Sequence, residues 1–204
     1  MTNYLHKGDL PADIDFGAVV AIDSETMGLR LGRDRLCLVQ LSAGDGDAHL
    51  VQLDRATYDA PNLKRLLTSP DVLKLFHFGR FDIAMFILHL NVATAPVYCT
   101  KIASKLARTY TDRHGLKDVT KELVGVDVSK AQQSSDWGQG TLTPEQQAYA
   151  ASDVLNLHAI RERLDAMLER EGRMDLAKAC FDFLPTRARL DVEGWEDMDI
   201  FAHT

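Results

Sequence analysis

Four acidic residues and one tyrosine stand apart in this chain by type and spacing. Asp23 and Glu25 follow the apolar run AVVAI and lie two residues apart. In extended chain their carboxylates therefore point to the same side. Asp82 comes soon after the apolar segment VLKLF, at the start of a second apolar run. Tyr149 and Asp153 are one helical turn apart, within the long stretch that follows Pro144 without glycine or further proline. Each has an ordinary explanation: a solvated strand end for Asp23 and Glu25, a favourable helix-dipole position for Asp82, an exposed or ion-paired helix acid for Asp153, and a packed ring with a free hydroxyl for Tyr149. Their combination is more informative. Acids that end a strand covered on both sides are costly unless a cation or strong donors compensate. Hard oxygen donors with no cysteine–histidine pattern beside them suit Mg²⁺ or Mn²⁺ and not structural Zn²⁺.

The elements that must position these residues follow from hydrophobic pattern. Ala18–Asp23, Arg35–Leu41 and Ala48–Leu53 read as an antiparallel meander, with Gly44-Asp45-Gly46-Asp47 as its second turn. Val72–Phe76 reads as a compact strand, and Val97 lies in a brief extended segment. Helices are predicted at Pro61–Leu67, Phe81–Leu90, Lys101–Tyr110, Gly115–Leu123 and from Pro144 to about Arg170. The last begins with Thr143 as cap, Pro144 in the first turn and Gln146 completing a capping box. A further helix is predicted at Asp175–Phe183, broken by Pro185. This order predicts an α/β fold, a mixed sheet of about five strands flanked by helices. Acids at strand ends and helix starts then converge on one sheet edge.

Bulk properties narrow the class. The 204 residues are 46% hydrophobic and 26% charged, which is enough for one domain over 1–204 with its own core. The part from about 173 reads as a helical C-terminal extension. No apolar run reaches the ~18 residues of a membrane span, and Met1–Leu10 lacks a signal-peptide core. A cytoplasmic protein is expected. Cys37, Cys99 and Cys180 have no motif spacing and read as reduced thiols. A net charge of -7 argues against gripping long duplex by bulk electrostatics, but less against binding a strand end. Trp195, Ile200 and Phe201 in an acidic tail favour packing onto the body or a homodimer.

In their contexts and order, these residues resemble the 3′–5′ exonucleases of the DEDD superfamily, in the tyrosine-bearing branch, and ribonuclease D in particular. Asp23-Ser24-Glu25 matches the first motif, LFHFGRFD supplies Asp82 for the second, and Tyr149 with Asp153 matches the third. His114-Gly115-Leu116-Lys117-Asp118 and Ser134-Ser135-Asp136-Trp137 look like linking segments, and the likeness covers about Val19 to Leu168. The resemblance implies a ribonuclease H-like exonuclease fold and hydrolysis of single-stranded RNA from a free 3′ end to 5′-mononucleotides. It also implies two Mg²⁺ or Mn²⁺ ions held by Asp23, Glu25, Asp82 and Asp153, with Tyr149 orienting the attacking water. Thr26 is then expected at the terminal 3′-hydroxyl, Leu29 as a wedge between bases, and His77 at a phosphate or capping its strand. Phe78, Phe81 and Tyr98 are open between base stacking and core. Arg80, Lys101, Arg108, Arg113, Lys117 and Lys130 are the basic residues expected near the entry path. Phe78-Gly79 stands where the second motif often has asparagine. The chain resembles the catalytic part of ribonuclease D without its helical nucleic-acid-binding domains. Single-stranded DNA, very short oligonucleotides, and a non-catalytic nucleic-acid-binding domain remain the alternatives.

Overall fold

Val20, Ala21 and Ile22 are all fully buried, which a strand achieves only when both its faces are covered. They lie in the central strand of a sheet. The computed structural model describes residues 2–129, 131–132 and 134–203, so Lys130 lies outside the described residues. Six strands run β1 Asn3–Lys7, β2 Val19–Thr26, β3 Leu36–Ser42, β4 Ala48–Gln52, β5 Leu73–Phe76 and β6 Val97–Cys99. They are ordered β1-β4-β3-β2-β5-β6. The predicted meander is present: β2 pairs with β3 and β3 with β4, both antiparallel. β5 and β6 add in parallel beyond β2.

The expected five strands become six because β1 was not read from the sequence. NYLHK has no apolar alternation and stays largely exposed, since it is an edge strand held by backbone pairing. Its partner β4 lies more than forty residues away, with Asn3 opposite Ala48.

The helices are α1 Pro61–Thr68, α2 Arg80–Leu90, α3 Thr100–Ala107, α4 Leu116–Val124, α5 Pro144–Leu155, α6 Leu157–Arg170 and α7 Met174–Leu190. Two differ from expectation. The run from Pro144 is interrupted at Asn156 (φ -101°, ψ -4°). The interruption lets α5 lie across β1–β4 while α6 turns to pack on α3 and α4. α7 does not stop at Pro185. Phe181, Leu184 and Ala188 are buried at helical spacing. Burying the Phe and Leu side chains contributes roughly 1.5–3 kcal/mol each, enough to offset the ~3 kcal/mol cost of an interior proline. The tail then turns at Asp191–Trp195. It is held by Arg80 and Arg187 on the buried Asp191, by Val192 packed on the core and by the Phe201 ring 5.8 Å from that of Phe183. The three cysteines are free, with Cys37 and Cys99 buried. Among the described residues no helix is long and apolar enough to cross a membrane.

The capping box of α5 is formed. Gln146 N–H donates to Thr143 Oγ1 at 3.2 Å, and Thr143 N–H donates to Gln146 Oε1 at 2.9 Å. Gln146 also reaches Ser135 Oγ at 2.7 Å and the Asp136 carbonyl at 3.2 Å, so a buried amide ties the preceding loop to the helix. Gln146→Ala is expected to lower stability by about 1–3 kcal/mol in urea unfolding, since it strands those partners. A loss below about 0.5 kcal/mol, within the range of an ordinary surface change, would show the loop to be held by something else.

Candidate active site

The last residues of β2 decide where the first two acids go. Asp23 pairs with Gln40 and Glu25 with Leu38 across β3, and the register shifts between Glu25 and Thr26. That irregularity ends the regular strand and turns the chain toward the loop carrying Leu29. Gly28 is required there, because a Cβ would strike the Asp34 carboxylate. Asp34 accepts the Arg30 N–H at 2.9 Å and pairs with Arg33, closing the loop.

Helix α5 crosses this sheet face and brings Asp153 to the same point. Carboxylate oxygens of Asp23, Glu25 and Asp153 lie within 4.8 Å of one another. Asp82, in the first turn of α2, is 4% exposed and does not belong to that trio. It accepts a hydrogen bond from Ser24 Oγ at 2.5 Å. Its charge nevertheless weighs more on Asp23 than that of Asp153 or Glu25, whereas Glu25 feels Asp153 most. Asp82 thus acts on both Asp23 and Glu25 without joining the trio.

Burial is the main cause of perturbation in this cluster, and mutual repulsion adds to it for Asp23 and Glu25. Asp23 is raised well above its ordinary range by burial and by the three other acids. Burial and the charges of Asp153 and Asp82 push Glu25 up to about 9. Burial takes Asp82 to about 7 against the Ser24 hydrogen bond. It takes Asp153 to about 7 against the neighbouring Tyr149 hydroxyl. Among the described residues no lysine or arginine acts on these four. Tyr149 is itself raised, by burial first and then by Asp153, Glu25 and Asp23, so its hydroxyl keeps its proton. Its ring lies 6.0 Å from that of the buried Trp137.

All eight residues expected from the sequence line one cleft of about 870 Å³: Asp23, Glu25, Thr26, Leu29, His77, Asp82, Tyr149 and Asp153. Leu29 is 79% exposed within it. His77 Nδ1 is 2.8 Å from Thr100 Oγ1, and burial with the Lys101 charge pulls the imidazole down to about 3, so it is neutral. Phe78 and Phe81 also line the cleft, but Tyr98 is core, with its hydroxyl donating to Asp165 at 2.8 Å. Of the described basic residues, Arg80, Lys101 and Lys117 reach the cleft. Arg108 does not, because it is fully buried against Glu122, and Arg113 lines no part of it.

Sequence reasoning missed two contributors. Gln40, fully buried, donates to Asp23 Oδ2 at 3.0 Å. A lone glutamine in the apolar strand LCLVQLS was the available signal. The cleft wall formed by Asp191, Glu196 and Asp197 carried none, since its position depends on how α7 folds back over α2.

A family model described as 3′–5′ exonuclease matches residues 9–169. The chain belongs to the 3′–5′ exonuclease family. Within it the protein is ribonuclease D-like: the ribonuclease D of Gluconacetobacter diazotrophicus is 35% identical over 182 residues, covering 88% of this chain and 46% of that one. The chain therefore spans about half the length of the curated relatives it matches. Two structures of NrnC from Brucella melitensis cover 100% of both chains. One has bound Mg²⁺ (52% identity, TM-score 0.96) and the other is bound to pGG (53%, TM-score 0.97). The resemblance inferred from the motifs is confirmed, and so is the exonuclease fold with its mixed sheet, apart from the added sixth strand.

The raised carboxyl pKa values have a consequence for stability. Between about pH 4 and pH 9 the native protein holds protons on these acids that the unfolded chain has released. Their contribution is thus complete at low pH and lost as pH rises through the folded-state values. In chelator, Asp153→Asn is expected to melt higher than the parent at pH 8, with that advantage gone at pH 4. Thermal unfolding at the two pH values checks it, and an advantage that grew toward acid would contradict the repulsion.

Proposed function

We propose that the protein is a divalent-metal-dependent 3′–5′ exoribonuclease that removes 5′-mononucleotides from single-stranded RNA. The convergence of four carboxylates, buried or half-buried, on a tyrosine-bearing cleft carries this reading. The donor set fits Mg²⁺ or Mn²⁺: it is all hard oxygen, half-buried or buried, and among the described residues no lysine or arginine acts on it. Divalent ions bound there would acidify a water and neutralise charge on the phosphate. Asp23, Glu25 and Asp153 would hold one ion, and Asp82, its Oδ1 tethered by Ser24, would with Asp23 hold a second.

Gln40 holds the Asp23 carboxylate in place from β3. Tyr149, kept protonated, positions the attacking water by hydrogen bonding and does not act as a base. The Thr26 backbone meets the terminal ribose. Leu29, exposed at the rim, inserts between the last two bases without reading them. His77 acts as a neutral hydrogen-bonding group and not as a charged phosphate ligand.

A second reading, preference for very short oligonucleotides, is supported by the full-length match to the Brucella relative solved with pGG. Three free cysteines support a reducing, cytoplasmic setting. The exposed Leu176, Phe183 and Phe201 support self-association, with a homodimer as the simplest form. The larger core cluster, which takes in the sheet and Ala177, Phe181, Leu184 and Ala188 of α7, supports one domain with α7 as its helical extension.

End-labelled RNA, matched DNA and dinucleotides, each incubated with Mg²⁺, Mn²⁺ or chelator, test these readings. Stepwise loss from the 3′ end is expected with metal only. Asp23→Ala should abolish it, and Tyr149→Phe should lower kcat by about 10²-fold with little change in KM. Internal cleavage, or full activity in chelator, would refute the assignment.

A further inference from the structure

The turn between β5 and α2 is made against backbone preference. Phe78 lies in the left-handed region at φ 67°, where a bulky residue with a Cβ is disfavoured. Gly79 follows, and a Cβ there would stand 2.7 Å from both Cβ and Cγ of Phe76. The strand end behind the turn is thus already filled by Phe76, and Phe78 is directed outward. Phe78 is 48% exposed and lines the cleft with Leu29 and Asp82. Neither the exposure nor the backbone conformation favours stability. Strained non-glycine residues persist where function holds them.

Lys101, in the first turn of α3, places Nζ 4.1 Å from the centroid of this ring. Among the described residues no carboxylate acts on its charge; the groups that do are Lys105 and Cys99. Arg80, by contrast, is committed to Asp191 and to the Glu196 carbonyl. The cleft therefore presents one exposed aromatic plane with an uncommitted ammonium on it, next to four buried acids.

We propose that Phe78 and Lys101 together form a nucleotide subsite, in which the ring stacks one base of the strand and the ammonium takes the phosphate attached to it. Aromatic stacking tolerates any base, because each has a π face. A lysine supplies a compact point charge for a phosphate oxygen. The division of labour with Leu29 is direct: the leucine parts two neighbouring bases, and Phe78 holds one of them. Stacking on one ring face leaves Lys101 its cation–π contact on the other. This subsite rests on the exonuclease reading above, since it needs a strand end in the cleft.

The test uses the full chain and three probes: a 5′-phosphorylated diribonucleotide and its two counterparts lacking one base each. With Mg²⁺, Phe78→Ala is expected to raise KM for the intact dinucleotide roughly tenfold while kcat changes little. Phe78→Trp should restore KM, and Lys101→Gln should raise KM and flatten its salt dependence. The Phe78→Ala effect should vanish on one of the two abasic probes and persist on the other. Phe78→Gly, which relieves the backbone, should melt no lower than Phe78→Ala yet bind as poorly. An unchanged KM, an equal effect on both abasic probes, or failure of tryptophan to rescue would overturn the subsite. Calorimetric titration of the same probes in chelator separates the two proposals. Wild-type protein that binds but never cleaves would sink the nuclease reading alone, whereas binding unaltered by Phe78→Ala would sink the subsite.

Discussion

Four like charges gathered in one buried place are the constraint to which the rest of this structure answers. Burial raises all four above the ordinary carboxylate range, repulsion adds to it for Asp23 and Glu25, and among the described residues no lysine or arginine relieves them. A protein gains no stability from such an arrangement, because a charge taken out of water without a partner is among the costliest features of a fold. Its presence is intelligible as a site whose partner is a bound cation. The surrounding elements supply the rigidity that keeps it assembled: a central strand buried on both faces, a capped helix lying across it, and a glutamine bridging from the next strand.

The same constraint accounts for the local irregularities. The register shift after Glu25 stops β2 where the acids must face outward. The interruption at Asn156 keeps α5 flat on the sheet and frees α6 to close the opposite flank. The strained turn at Phe78 sets an aromatic ring at the mouth of the cleft. Each departs from ideal geometry, and each adjoins the cleft or carries a residue that lines it. Away from the cleft, β4 pairs with β1 and with β3 without a break in register.

The C-terminal segment belongs to this arrangement as well. Arg80 lies at the start of α2, two residues before Asp82, and its guanidinium is clasped by Asp191. Arg187 joins from the preceding turn of α7. The clasp fixes an acidic wall, Glu196 and Asp197, along the cleft that holds the acids. Arg80 is thereby converted from a free cation into a structural tie, which among the described residues leaves Lys101 and Lys117 as the cleft's available positive charges.

Sequence alone determined what is local or carried by a motif. The apolar run ending in Asp23 and Glu25, the helical spacing of Tyr149 and Asp153, and the Thr143–Gln146 box are all properties of a few adjacent residues. Side-chain period and cap chemistry settle them. The ordered set then identified the family. Tertiary structure alone decided the rest. The edge strand β1 has no apolar period of its own and exists because β4 offers it hydrogen bonds. Pro185 stays helical because Phe181, Leu184 and Ala188 are buried around it. Arg108 is withdrawn from the surface by Glu122, and Gln40 meets Asp23 only through strand register. In every such case the deciding energy comes from partners distant in the chain, which no window of sequence contains.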